Sequence, residues 1–160
     1  MGRIREDVHI HASAGETFAR LEAIERYGEW LPRSFRDVGG ESGAQARLDG
    51  VLALPLRSER VRLEVAEREP SQLLLFRSVD GEHGAFRTLS WVLSEEGPSD
   101  VHLLVEATYT PAGGLVGALL DLLVQRAHRR QALRDAVWRL KQLLEGAGSA
   151  SQPGDGDGSA

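Results

Sequence analysis

The 160-residue sequence predicts an α+β fold, a curved antiparallel sheet of about seven strands wrapped around a long C-terminal helix, with two short helices between strands 1 and 2. Three observations predict it. Residues 35–110 alternate apolar and polar side chains in short runs separated by turn residues, the period of two that half-buried strands show. Pro111 to Gly114 then ends that pattern sharply. From Leu115 to Glu145 the period becomes helical: at 100° per residue Leu115, Leu119, Leu122, Leu133, Val137, Leu140 and Leu144 fall on one stripe.

The chain opens with a strand. Ile4, Val8, Ile10 and Ala12 share one face, and Arg3, Arg5, Asp7, His9 and His11 the other. Ser13 and Glu16 have the spacing of a capping box, so a first short helix starts there, with Phe18, Leu21 and Ile24 as its apolar positions. A second short helical piece, residues 25–30, ends at Leu31 and Pro32. Strands are then expected over 35–39, 44–54, 57–68, 73–79, 86–95 and 101–110, joined by connections short enough for antiparallel neighbours. Alternation turns Leu48, Leu52 and Leu54 inward, then Val61, Leu63 and Val65, then Leu89, Trp91 and Leu93, then Val101, Leu103, Val105, Ala107 and Tyr109. Residues 73–76 are apolar on both faces, which leaves the orientation of strand 73–79 open.

A helix over 115–145 spans roughly 45 Å. Val116, Leu120, Leu123 and Val124 widen the apolar face of its first half, while in the second half Arg129, Arg139 and Lys141 are expected on the solvent side. Arg126 projects into the apolar stripe. Residues 146–160 are rich in Gly, Ser and Asp and are expected to be a disordered tail after a single domain over 1–145, because nothing in them offsets their ordering entropy.

Composition narrows the function classes. Hydrophobic content of 41% and charged content of 27% are those of a globular domain. Cysteine is absent, so no thiolate nucleophile, disulfide framework or Cys-based metal site is available. That absence and a charged N-terminus that runs straight into a strand give a cytoplasmic expectation. No apolar run approaches the ~20 residues of a membrane span. The net charge of −5 argues against nucleic acid as a partner, although the long helix is locally basic, six cations against three anions. Transient contact with a membrane surface stays compatible with that helix. No phosphate loop, dinucleotide fingerprint or nucleophile elbow is present, and no cofactor is expected.

A curled sheet with a helix laid on its concave side leaves a gap between them. Aromatic residues at 6% of the chain look too few to fill it, which points to a ligand chamber. The sequence from Val8 to Phe18, the segment from Tyr27 to Pro32 and the closing helix from Pro111 to Leu144 resemble the START-like superfamily, also called SRPBCC or helix-grip. Within it the chain is most similar to the polyketide cyclase/dehydrase and coenzyme-Q-binding group. The resemblance covers residues 3–145. It implies an apolar tunnel between sheet and long helix that holds a lipid, quinone or polyketide-like molecule, and no catalytic set common to the superfamily.

The candidate ligand-binding residues are therefore Trp30, Leu48, Leu52, Leu63, Arg87, Trp91, Leu93, Leu103, Tyr109, Leu115, Leu119, Leu123 and Arg126, with Leu119, Leu123, Trp91, Leu63 and Tyr109 lining an enclosed pocket. Arg126 needs an acceptor: a sheet carboxylate such as Glu106 or Asp49, the tunnel rim, or an anionic group on a ligand. Arg87, near a strand start, is expected at a rim. Trp30 is expected where the short helices meet the sheet, and Trp138 over the sheet edge. His9 and His11 have a spacing that suits a metal, but no carboxylate is in obvious reach, so an exposed pair without metal is expected. His83 and His102 have no assigned place against the cavity, and no catalytic residue is identified. Carriage or sensing of a hydrophobic small molecule is the first reading. An aromatic cyclase or dehydratase using the same cavity is the alternative.

Overall fold

The structure, a computed structural model, describes residues 1–111 and 113–150. Seven strands form one antiparallel sheet: β1 (Gly2–Ile10), β2 (Phe35–Glu41), β3 (Arg47–Ala53), β4 (Ser58–Glu69), β5 (Leu73–Ser78), β6 (Thr88–Gly97) and β7 (Asp100–Tyr109). Their order across the sheet is β1-β7-β6-β5-β4-β3-β2. Consecutive strands from β2 to β7 are neighbours, and β1 closes the far edge by pairing with β7. Helix α1 (Ala14–Glu22) and a 3-10 helix (Ile24–Glu29) bridge β1 to β2. The Ser13 hydroxyl accepts from the Glu16 amide at 3.0 Å and caps the start of α1.

Strand parity follows the sequence reading. Leu48, Leu52, Val61, Leu63, Leu89, Trp91, Leu93, Leu103, Val105 and Tyr109 are all buried. Strand β5 turns Leu74 and Phe76 inward, because they pair directly with Trp91 and Leu89 of β6, and directly opposed residues share a face. One side of the sheet thus carries the core, and the other carries charge pairs such as Arg5–Glu106 at 3.0 Å.

The C-terminal helical run has three parts: α2 (Gly114–Leu120), a π turn (Asp121–Gln125) and α3 (Arg126–Ala150). Gly113 and Gly114 have φ of +92° and +65°, a left-handed turn that glycine enters without a Cβ penalty. Helix α3 packs on β1 and β7 through Ala132, Leu133, Ala136, Val137, Leu140 and Leu144. The helical backbone continues to Ala150. The remainder of the expected tail, 151–160, lies outside the described residues.

The π turn changes which side of the helix faces inward. A π turn closes i→i+5 bonds, one residue more than an α turn, so it rotates the face by about 100°. Behind it the buried positions run Arg129, Gln125 and Asp121, at intervals of four, rather than Arg126, Leu122 and Leu119. Helix α2 buries none of its residues. Leu115 is 92% exposed, and Val116, Leu119, Leu122 and Leu123 also face water. The expected closure of this half over an enclosed pocket is thereby corrected, and Leu115, Leu119 and Leu123 do not line one. The expected solvent position of Arg129 is corrected too, since that side chain is 1% exposed.

Candidate functional site

Seven of the nine aromatic residues are buried: Phe18, Tyr27, Trp30, Phe76, Phe86, Trp91 and Tyr109. Scarcity along the chain is offset by concentration in space. Trp30 and Trp91 meet edge to face with ring centroids 5.8 Å apart, and Tyr27 lies 4.8 Å from Trp30 and 6.4 Å from Phe76. Such tilted contacts set the positive ring edge against the negative face. Tyr27 donates its hydroxyl to the Leu21 carbonyl at 2.6 Å, and burial pushes its phenol well above the usual range. The Trp91 indole N–H faces the Tyr27 hydroxyl, whereas the Trp30 indole N–H has no acceptor among the described residues although its side chain is 1% exposed.

A second cluster lies where β7 meets the π turn. The Tyr109 hydroxyl donates to Asp121 Oδ2 at 2.6 Å. Burial first, and then the Asp121 carboxylate that the phenol faces, raise its pKa to about 12. The Arg129 guanidinium lies 4.1 Å from the centre of the Tyr109 ring and 6.0 Å from that of Phe86. Its Nη1 donates to Glu59 Oε2 and to the Ala85 carbonyl, both at 2.8 Å, and its Nη2 stands 3.8 Å from Asp121 Oδ1. Glu59 is also held by Arg57 at 2.9 Å. A buried arginine needs such partners, because an unpaired charge in the interior costs several kcal/mol. Among the described residues, Asp121 Oδ1, Gln125 Oε1 and Arg129 Nε have no hydrogen-bond partner.

The sequence-derived candidates therefore divide. Trp30, Leu48, Leu52, Leu63, Trp91, Leu93, Leu103 and Tyr109 gather in the core between sheet and helices. Arg87 is half-buried at the start of β6, with Nη1 3.5 Å from Met1 Sδ. Arg126 does not enter the interior. Its Nη2 donates to the Arg3 carbonyl at 3.1 Å, and the side chain borders an outer cleft of about 350 Å³ with Leu122, Arg130 and Arg134. Its two proposed carboxylate partners are engaged elsewhere, Glu106 by Arg3 and Arg5, and Asp49 by Arg47 and Arg62. Another cleft, about 280 Å³, opens between the end of α1 and β4, over Ile24, Val65 and Leu74. Sequence reasoning missed Glu59, Asp121, Gln125 and Arg129. The one available signal was the spacing of four from Asp121 through Gln125 to Arg129, a polar line running beside the apolar stripe.

A curled seven-stranded sheet closed by a long C-terminal helix, with short helices between its first two strands, is the START-like architecture. The chain belongs to the family described as polyketide cyclase / dehydrase and lipid transport, whose model matches residues 1–145. Among solved structures it is similar to TTHA0849 from Thermus thermophilus, with 19% identity over 91% of this chain and 99% of that one and a TM-score of 0.76. A START superfamily protein from Mycobacterium smegmatis shares 18% identity over 88% of this chain and 98% of its own, with a TM-score of 0.56. The di-domain ARO/CYC protein StfQ from the steffimycin biosynthetic pathway shares 13% identity over 92% of this chain and 51% of its own, with a TM-score of 0.58. Identities this low carry the fold alone. No curated protein matches the chain. Among the described residues, no helix is long and apolar enough to cross a membrane.

Proposed function

We propose that the chain binds a hydrophobic small molecule, a lipid, quinone or polyketide-like compound, between its sheet and its C-terminal helix, as a carrier, sensor or chaperone. One observation carries this reading: Trp30 holds a buried indole donor with no acceptor among the described residues, inside an otherwise aromatic and aliphatic core. Buried donors are nearly always satisfied, and a ligand carbonyl or hydroxyl oxygen supplies what the Trp30 indole lacks. Binding requires the core to open. Helix α2, which buries nothing, is the element that can move with little loss of packing. Its apolar face beside Arg126 and Arg130 also suits transient contact with a membrane surface.

A cyclase or dehydratase needs an interior group that exchanges protons near neutral pH. The polar group closest to that role, Tyr109, has its proton committed to Asp121 and a pKa raised to about 12. This disfavours chemistry at that position and favours binding alone.

Fluorescence titration with 1,4-naphthoquinone and with naphthalene tests the reading. Both are expected to bind, and Trp30→Phe to weaken the quinone by roughly two- to tenfold more than the hydrocarbon, the scale of one neutral hydrogen bond. No saturable binding of either compound, or equal weakening of both, would contradict it.

A further inference from the structure

Away from the core, on the outer face of the sheet, two neighbouring histidines meet an aspartate distant in sequence. His9 Nε2 lies 3.0 Å from Asp100 Oδ1, and His11 Nδ1 lies 2.9 Å from the same oxygen. All three donor atoms fall within 4.8 Å of one another. Donor atoms around a tetrahedral zinc at 2.0–2.1 Å stand about 3.3 Å apart, so small ring rotations bring this trio to metal-binding distance. The carboxylate that the sequence reading did not find is supplied by the β6–β7 hairpin.

The surroundings are arranged as for a metal centre. A histidine that ligates through one ring nitrogen usually gives its other N–H to a carboxylate, which fixes the tautomer. His9 Nδ1 faces Glu96 Oε2 at 2.9 Å. Glu96 is followed in turn by His102 Nδ1 at 3.7 Å, and His102 Nε2 meets Asp7 at 2.7 Å. The ligand-bearing backbone is held from the other side by α3. Lys141 donates to the His9 carbonyl at 2.6 Å, and Glu145 accepts the His11 amide at 3.0 Å.

We infer that His9, His11 and Asp100 form a three-ligand site for a divalent transition-metal ion such as Zn²⁺, with Glu96 orienting His9. Imidazole and carboxylate donors without thiolate suit Zn²⁺, Ni²⁺ or Cu²⁺ rather than Mg²⁺. Three protein ligands on a solvent-facing surface leave a coordination position for water or a further donor. The ion joins the end of β1 to the β6–β7 hairpin, independently of any ligand in the core.

Calorimetric titration of the untagged full chain with ZnCl₂ tests this. One equivalent is expected to bind and to raise the melting temperature. Glu96→Gln is expected to weaken binding by about 10–100-fold. His11→Ala and Asp100→Asn are expected to lose the equivalent while keeping the parent circular dichroism spectrum, and His83→Ala, on a separate turn, to bind as the parent does. Absence of a stoichiometric equivalent in the parent overturns the site, and so does unchanged affinity in both His11→Ala and Asp100→Asn.

Discussion

Tyr109 and Asp121 are joined by a 2.6 Å hydrogen bond from phenol to carboxylate, linking the last strand to the π turn of the closing helix. The helix departs from α geometry at the same place, since the π turn begins at Asp121. The bond also fixes how the protein responds to alkali.

The chain has two tyrosines, and both phenols are raised above their ordinary value, Tyr109 to about 12 and Tyr27 further by full burial. A folded-state pKa raised above the unfolded value of about 10 contributes stability that is complete below pH 10. That stability is lost as pH climbs toward 12. Absorbance at 295 nm is therefore expected to show almost no phenolate in the folded protein at pH 10.5, and both phenolates after addition of denaturant. Phenolate at pH 10.5 in the folded state contradicts the buried pairing.

Arg129 and Arg126 are three residues apart and are expected to behave oppositely. Arg129→Leu leaves Glu59 and Asp121 without their shared cation and is expected to lose about 3–5 kcal/mol in urea melts. Arg126→Leu removes a contact to the Arg3 carbonyl at the surface and is expected to change stability by no more than about 1 kcal/mol. The reverse order would place Arg126 in the interior.

Leucines on the same helical run are separated in the same way. Leu123→Ala, at a position 68% exposed, is expected to change stability by about 0.5 kcal/mol or less, and Leu133→Ala, fully packed on the sheet, by about 2–5 kcal/mol. Thermal or urea denaturation of the two variants checks this. A large loss from Leu123→Ala would mean that α2 packs on the core.

Gly2 lies against the ring of Tyr109, so closely that a Cβ there would overlap the phenol. Gly2→Ala is expected to destabilise by about 1–3 kcal/mol, the usual consequence of overpacking, and to disturb the Tyr109–Asp121 bond. A parent-like melt together with an unchanged tyrosine titration would show that β1 yields at its end without strain.

Most of the sheet was legible because a period of two survives in β1, β3, β6 and β7 and in the first half of β4. Val101 through Tyr109 alternate without a break, and all five inward residues are buried. The orientation of β5 was not, since Leu73 to Phe76 carry no alternation and only pairing with Leu89 and Trp91 decides it. The polar cluster escaped notice for a different reason. A projection at 100° per residue assumes unbroken α geometry, and the π turn rotates Arg129 inward and the leucines of α2 outward. Composition misled in the same direction: 6% aromatic content says nothing about where aromatics gather, and most of them gather in the core. His11 and Asp100 are separated by 89 positions, so their meeting depends on the β1–β7 pairing. No local spacing could reveal it.

The proposed ligand site rests on the buried Trp30 indole, which the Trp91 ring adjoins, and the three tryptophans supply their own control. Side-chain Nε1–H resonances of ¹⁵N-labelled protein, followed while 1,4-naphthoquinone is added, test it most directly. The account predicts saturable shifts of the Trp30 and Trp91 indole signals, with the half-exposed Trp138 signal unmoved. Shifts confined to Trp138, or no saturable shift at Trp30 and Trp91, would contradict ligand binding in the core.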